Sequence, residues 1–246
     1  MKTAHLLLLI PLFVSLSSFG ETVKLAIGDW APYTSSSDAN GKISEKIVEA
    51  AFAEEGVTVK LDYFPWARSY KLVIEGKYDG TFPWYSTDQK RKETLYSDQP
   101  VIEDKEVFFK LKSSGFKWDT LPDLKTYKVG AIIGYSHVDR FKAASVRFSG
   151  VKNEKLNFQK LISKRIDTFP ASELVGYYLL KQQFSKQEAA MITHDSKPLS
   201  NSGMYVLFSR TKSGSKGFYE KFNKGMKAIK ENGTLEKILK KYQVRR

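Results

Sequence analysis

The stretch "VTVKLDYFPWARSYKLVIEGKYDGTF", Val57 to Phe82, decides the fold. Val57, Val59 and Leu61 alternate with polar neighbours, the period of a strand with one face in a core. The segment "ARSYKLVIEGK" then reads as a helix, and "YDGTF" opens a further strand. Upstream, "ETVKLAIGDWAPY" (21–33) supplies a strand through Val23, Leu25 and Ile27 and breaks into a loop at Gly28. After "SSSDANGK", Ser44 is expected to cap a helix whose apolar face carries Ile47, Val48, Ala51 and Phe52, with Gly56 as its stop. Strand, helix, strand, helix, strand is the pattern of a parallel sheet covered by helices.

Downstream, "EVFFKLKSS" (106–114) is a longer strand leaving this unit, and a second cycle follows. "TYKVGAIIG" and "IDTFPAS" read as strands, while "SHVDRFKAAS", "FQKLISKR" and "ELVGYYLLKQQF" read as helices. "GMYVLFSR" (203–210) is a returning strand. The last segment is amphipathic helix, with Phe218, Phe222, Met226 and Ile229 at helical spacing and a break at "ENG". Two α/β units joined by two extended crossings predict two lobes and a cleft, residues 21–108 with 207–246 forming one lobe and 109–206 the other. Ligands of such sheets bind beyond the carboxyl ends of the strands and in clefts between domains.

Residues 1–20, "MKTAHLLLLIPLFVSLSSFG", combine a basic start, an apolar run and small residues near the end, the order of a cleavable signal peptide. The run is too short for a comfortable membrane span. There is no cysteine, so stability rests on the core rather than on disulfides, and no lipid-bearing cysteine is available as an anchor. These features predict export to a periplasm as a free monomer. The formal charge is +13, but basic residues are interleaved with acids, which describes a solvated surface rather than a nucleic-acid footprint. His137 and His194 stand far apart without HExxH-like spacing, and neither a G-x-S-x-G element nor a P-loop occurs. No metal, cofactor or catalytic residue is therefore expected.

The chemistry-bearing segment is "DGTFPWYSTDQKRKE" (79–93), an aromatic ledge beside a cluster of cations. Trp30, Tyr33, Trp66, Phe82, Trp84 and Tyr85 all lie where strands hand over to loops, where rings stack on a ligand or hold a cation over their faces. Strand alternation puts Phe82 and Trp84 on one side, and Pro83 and Tyr85 on the other. Arg68 faces either the cleft, as an anion clamp, or solvent. Lys90 and Arg91 fall near a helix N-terminus, and one of the two is expected to touch ligand. In the second unit, Gly134, Tyr135 and Ser136 sit at a strand-to-helix turn whose amides suit a carboxylate or phosphate. Ser172 and Glu173 follow another strand, and Glu173 either pairs with an ammonium group or caps the next helix.

The order of "GDWAPY", "GKYDG", "STDQKRKETLYSDQP", "LPDLKTYKVGAIIGYS", "RIDTFPASE" and "NGTLEKILKKY" resembles the family 3 periplasmic solute-binding proteins, receptors of polar amino-acid ABC importers. The resemblance runs over essentially the whole chain after the signal segment. It implies a bilobed type II periplasmic-binding-protein fold of class α/β. Two mixed sheets are flanked by helices, and two hinge crossings let the lobes close on a small ligand. In that family an Arg three residues after Thr87 clamps a carboxylate, and here Lys90 stands there with Arg91 one step on. Lys supplies a point charge rather than a planar fork. The family's acid for an α-ammonium falls at Ser172, with Glu173 next to it. The functional expectation is a non-enzymatic receptor for a small polar solute that docks on an inner-membrane ABC permease. The alternatives are a ligand-sensing partner of a membrane signalling receptor, or a cyclohexadienyl dehydratase-like enzyme using Glu173.

Overall fold

The computed structural model describes residues 20–242; the signal-peptide segment and the last residues of "KKYQVRR" lie outside them. The first unit contains β1 (Thr22–Ile27), α1 (Ile43–Ala53), β2 (Thr58–Tyr63), α2 (Trp66–Ile74) and β3 (Gly80–Tyr85). Strand β1 pairs in parallel with β2 along its length and with β3 at Leu25 and Gly80. Then come α3 (Asp88–Glu93) and the short β4 (Thr94–Tyr96). Helix α1 ends as expected near Gly56, which takes φ +66°, a conformation suited to glycine.

Helix α1 does not begin as expected. Ser44 is not its cap: the helix starts at Ile43, and the buried Ser44 hydroxyl has no partner. The cause lies in the preceding loop. The Ile43 and Ser44 amides donate to the Pro32 and Tyr33 carbonyls at 3.0 Å each, so backbone carbonyls satisfy the helix start in place of a side chain.

Two long strands carry the chain between the units. β5 (Ile102–Leu111) pairs antiparallel with β9 (Ile192–Ser209) from Ile102↔Met204 to Leu111↔Ile192, with irregular register near Val107. β9 also pairs with β3 and β4 at its carboxyl end, and β5 with β8. The two sheets are thus continuous through β5 and β9, giving a nine-stranded path in the order β2-β1-β3-β9-β5-β8-β6-β7 with β4 beside β9.

The second unit holds β6 (Val129–Ile132), α4 (Ser136–Ala143), β7 (Phe148–Val151), α5 (Glu154–Ile162), β8 (Thr168–Ser172), α6 (Glu173–Gln183) and α7 (Lys186–Ala190). Helices α8 (Ser215–Glu231) and α9 (Thr234–Lys241) return to the first unit, broken at Gly233 with φ +78°. Phe52, Phe82, Phe208, Phe222 and Ile229 lie in one core. In the other half, Val107, Phe109 and Leu111 enter a core on one face of β5, while Phe108 enters another on the opposite face. Val175 of α6 reaches into the first core, so the two halves touch through apolar as well as polar groups.

Candidate functional site

The loop after β1 is tied down before its side chains act. The Thr34 hydroxyl donates to the Gly28 carbonyl at 2.7 Å, Trp30 and Thr34 exchange backbone bonds, and the Ser35 amide donates to Glu45. This fixes Trp30 and Tyr33. The fully buried Tyr33 phenol donates to Asp104 Oδ1 at 2.5 Å and lies 3.1 Å from Ser172 Oγ. Ser172 donates to the same Oδ1 at 2.6 Å, and the Tyr85 phenol donates to Oδ2 at 2.5 Å. Three hydroxyls, from the β1 loop, the end of β3 and the end of β8, meet on one carboxylate of β5.

Asp104 is 3% exposed. Burial pushes its pKa up against the three hydroxyl bonds that favour the anion. The Tyr33 and Tyr85 phenols are pushed up in turn, by burial first and then by the Asp104 charge, so they remain donors.

Around this knot lie the rings. Trp30 is 4.8 Å from Tyr33 and 6.3 Å from Tyr85, centroid to centroid. Its indole N–H is buried without a partner, approaching the Tyr135 hydroxyl of the second unit without reaching bonding geometry. The ledge proper forms beside it: Trp84 packs edge-on against Trp66 at 5.3 Å and against Tyr70 at 5.6 Å. The Lys90 ammonium sits over both Trp84 (5.3 Å) and Tyr70 (5.6 Å), and burial lowers its pKa. Arg91 lies over Tyr96 at 4.6 Å and donates to Ser86 Oγ at 2.6 Å.

Several expected site residues are placed elsewhere. Phe82 points into the first core, and the expected shared side for Phe82 and Trp84 fails because the ladder to β9 shifts register between Thr81 and Trp84. Arg68 is exposed and stacks on Phe64 at 5.0 Å, outside the aromatic cluster.

Glu173 stands at the start of α6. It meets Lys105 at 3.2 Å and His194 at 3.3 Å in a separate groove of about 770 Å³, whose lining includes Tyr177, Tyr178 and Lys181. Trp66, Trp84 and Lys90 are not among that groove's walls.

The turn after β6 stands as expected, with Gly134 at φ +90° and both Gly134 and Ser136 exposed at the start of α4. Tyr135 donates to Glu154 at 2.9 Å. Next to it His137 is buried. Its Nε2 accepts from the Ile132 amide at 3.0 Å, which puts its proton on Nδ1, 2.8 Å from Glu106. Among the described residues, no group of three or more His, Cys, Asp or Glu is gathered to hold a metal. No helix among them is long and apolar enough to cross a membrane.

Residues 24–245 match the model of the bacterial extracellular solute-binding proteins, family 3. The chain belongs to that family. A search of curated proteins finds no match. Solved structures give the same fold, the bilobed type II periplasmic-binding-protein fold, at low identity. An ancestral arginine-binding protein bound to glutamine is 23% identical with a TM-score of 0.69, covering 91% of this chain and 98% of that one. A substrate-binding protein of an ABC uptake transporter from Streptococcus pneumoniae, with bound histidine, is 17% identical at 0.69, covering 90% and 92%. A histidine kinase sensor domain similar to periplasmic binding proteins is 15% identical at 0.71, covering 89% and 95%. Within this family member, the residue that sequence reading missed is Asp104. It is one of three acids in the "VIEDKEVFF" crossing strand, with Glu103 and Glu106, and nothing local marks it as the buried one.

Proposed function

We propose that this chain is a non-enzymatic periplasmic receptor of an ABC importer that captures a small polar solute, an amino acid or related amine or carboxylate, by closure of two lobes. The observation that carries this reading is the meeting of Tyr33, Tyr85 and Ser172 on Asp104. Groups from both units converge on the strand that joins them, beside Trp30, Tyr135 and the turn at Gly134–Ser136. Closure brings such groups together, and the altered outer face is what a permease reads. In this reading the Lys90–Trp84–Trp66 ledge and Arg91 belong to the first lobe's side of the cleft.

In this reading residues 1–20 direct export and are removed, and the receptor works as a monomer. The sequence bounds, 21–108 with 207–246 and 109–206, are refined by the cores. Val107 and Phe109 pack with the second half and Met204 and Val206 with the first, so we place the crossings between Ile102 and Val107 and between Ile192 and Met204.

Two further roles share the fold. A sensory role is supported by the sensor-domain likeness; genes for a permease and ATPase next to this one favour import, and a kinase or cyclase favours sensing. An enzymatic role has less support, because the Glu173 carboxylate is engaged by Lys105 and His194 and His137 Nε2 by the Ile132 amide. The receptor reading is tested by a thermal-shift screen of amino acids, polyamines and organic acids. At least one compound should raise the melting temperature in proportion to the logarithm of its concentration, since only the folded state binds. No shift from any compound at millimolar levels rules this receptor role out.

A further inference from the structure

We infer that Asp104 is the anchor for a ligand's ammonium group, on a cleft floor built to hold an organic cation. The inference rests on the receptor reading above and names the chemistry its ligand must carry.

Strand β5 sets the floor by simple alternation. Asp104 and Glu106 face one side, where they meet Tyr33, Tyr85, Ser172, His137 and Ser200. Lys105, between them, faces the other side and pairs with Glu173. Among the described residues, neither Asp104 nor Glu106 pairs with a lysine or arginine. This is unusual in a chain with a formal charge of +13, where cations are plentiful. A buried carboxylate without a counter-charge is costly unless something else supplies that charge.

The donor geometry leaves room for the missing charge. A carboxylate offers about four lone-pair sites. Tyr33 and Ser172 use two on Oδ1, and Tyr85 uses one on Oδ2, so one site on Oδ2 is uncommitted. Tyr85 is also the donor that reaches solvent, at 36% exposure, while Tyr33 and Ser172 are buried. Oδ2 is therefore the carboxylate oxygen whose donor stands nearest to solvent. The rings of Trp30, Tyr33 and Tyr85 crowd that side, and ring faces favour a cation. Of the positions that the resemblance points to for the acid, Ser172 is uncharged and Glu173 pairs with Lys105 and His194.

The test pairs each amine with a partner lacking the ammonium: L-glutamine with glutaramate, L-histidine with imidazolepropionate, and putrescine with 1,4-butanediol. Affinities for the full chain after its signal segment are measured by calorimetry, on wild type, Asp104→Asn and Ser172→Ala. At least one amine should bind wild type and exceed its partner by roughly tenfold or more. Asp104→Asn should then lose roughly a hundredfold, as when one member of a buried charge pair is removed. Ser172→Ala, which removes one hydrogen bond to Asp104 and keeps the charge, should also lose affinity, but far less than Asp104→Asn.

Equal binding of amine and partner by wild type overturns the inference even if Asp104→Asn fails to fold. Amine binding within about threefold of wild type in Asp104→Asn overturns it while leaving the receptor standing. Binding of the ammonium-free partners alone does the same. If no compound of the panel or of the wider screen binds, the receptor reading falls and the inference falls with it.

Discussion

At the scale of single residues, Asp104 shows how a titration reports a buried contact. Burial raises its pKa above the ordinary carboxylate value of 3.8, so between that value and the raised one the folded chain binds more protons than the unfolded chain. Linkage then makes the Asp104 contribution fullest below pH 3.8 and progressively lost as pH climbs through the raised pKa. We expect the melting-temperature difference between wild type and Asp104→Asn to shift in favour of wild type on acidification from neutral pH. A pH series of thermal melts on both proteins checks this, and a difference constant with pH would sink it. The same residue marks the limit of reading the sequence. Asp104 meets Tyr33, Tyr85 and Ser172, which lie 71, 19 and 68 positions away, so no local pattern distinguishes it from Glu103 or Glu106. Trp30, Tyr33 and Trp84 were legible because aromatic residues at strand ends are conspicuous in the chain. The directions of Glu173 and Arg68 stayed open, because period and neighbours do not fix them at a helix start.

At the scale of elements, α8 carries two glycines that should answer the same substitution with opposite signs. A Cβ on Gly225 would stand 1.8 Å from the Ala51 carbonyl oxygen of α1, whereas a Cβ on Gly217 would meet nothing within 4 Å. Glycine inside a helix costs up to about 1 kcal/mol against alanine. Gly217→Ala should therefore stabilise by up to about 1 kcal/mol, and Gly225→Ala should destabilise by about 2–3 kcal/mol through overpacking. Urea denaturation of the two variants decides it, and a stabilised Gly225→Ala would show that α1 and α8 are not so close. The element pattern itself was largely readable from periodicity. Strand β9 was the exception: its first half, "ITHDSKPLSNSG", has no apolar alternation, and its place in the sheet comes from backbone pairing with β5 across residues 192–201.

At the scale of the whole molecule, the two halves meet at β5 and β9, at the Asp104 cluster and where α6 packs on the first core, and polar contacts outside these also join them. One is the hydrogen bond from the Tyr178 phenol on α6 to Asp38 in the loop before α1. It lies outside the aromatic cluster and outside the Asp104 knot, so removing it changes the balance of open and closed forms without touching the ligand groups. A hydrogen bond to a charged partner weakens where solvent screens it, and Asp38 is only half-buried. Even a small change in free energy shifts a two-state balance visibly. Tyr178→Phe should therefore enlarge the radius of gyration of the ligand-free protein in solution scattering, with only a small loss of melting temperature.

The contact also carries its own pH signature. The Tyr178 phenol is pushed up to about 12, by burial first and then by its bond to Asp38. Its contribution is therefore whole below pH 10 and fades as the pH rises toward 12. Wild type should expand more over that range than Tyr178→Phe, which has already lost the bond. If the two proteins scatter identically at pH 8, the Tyr178–Asp38 bond plays no part in closure, and the halves are held by the crossing strands, the Asp104 cluster and the apolar contact of Val175.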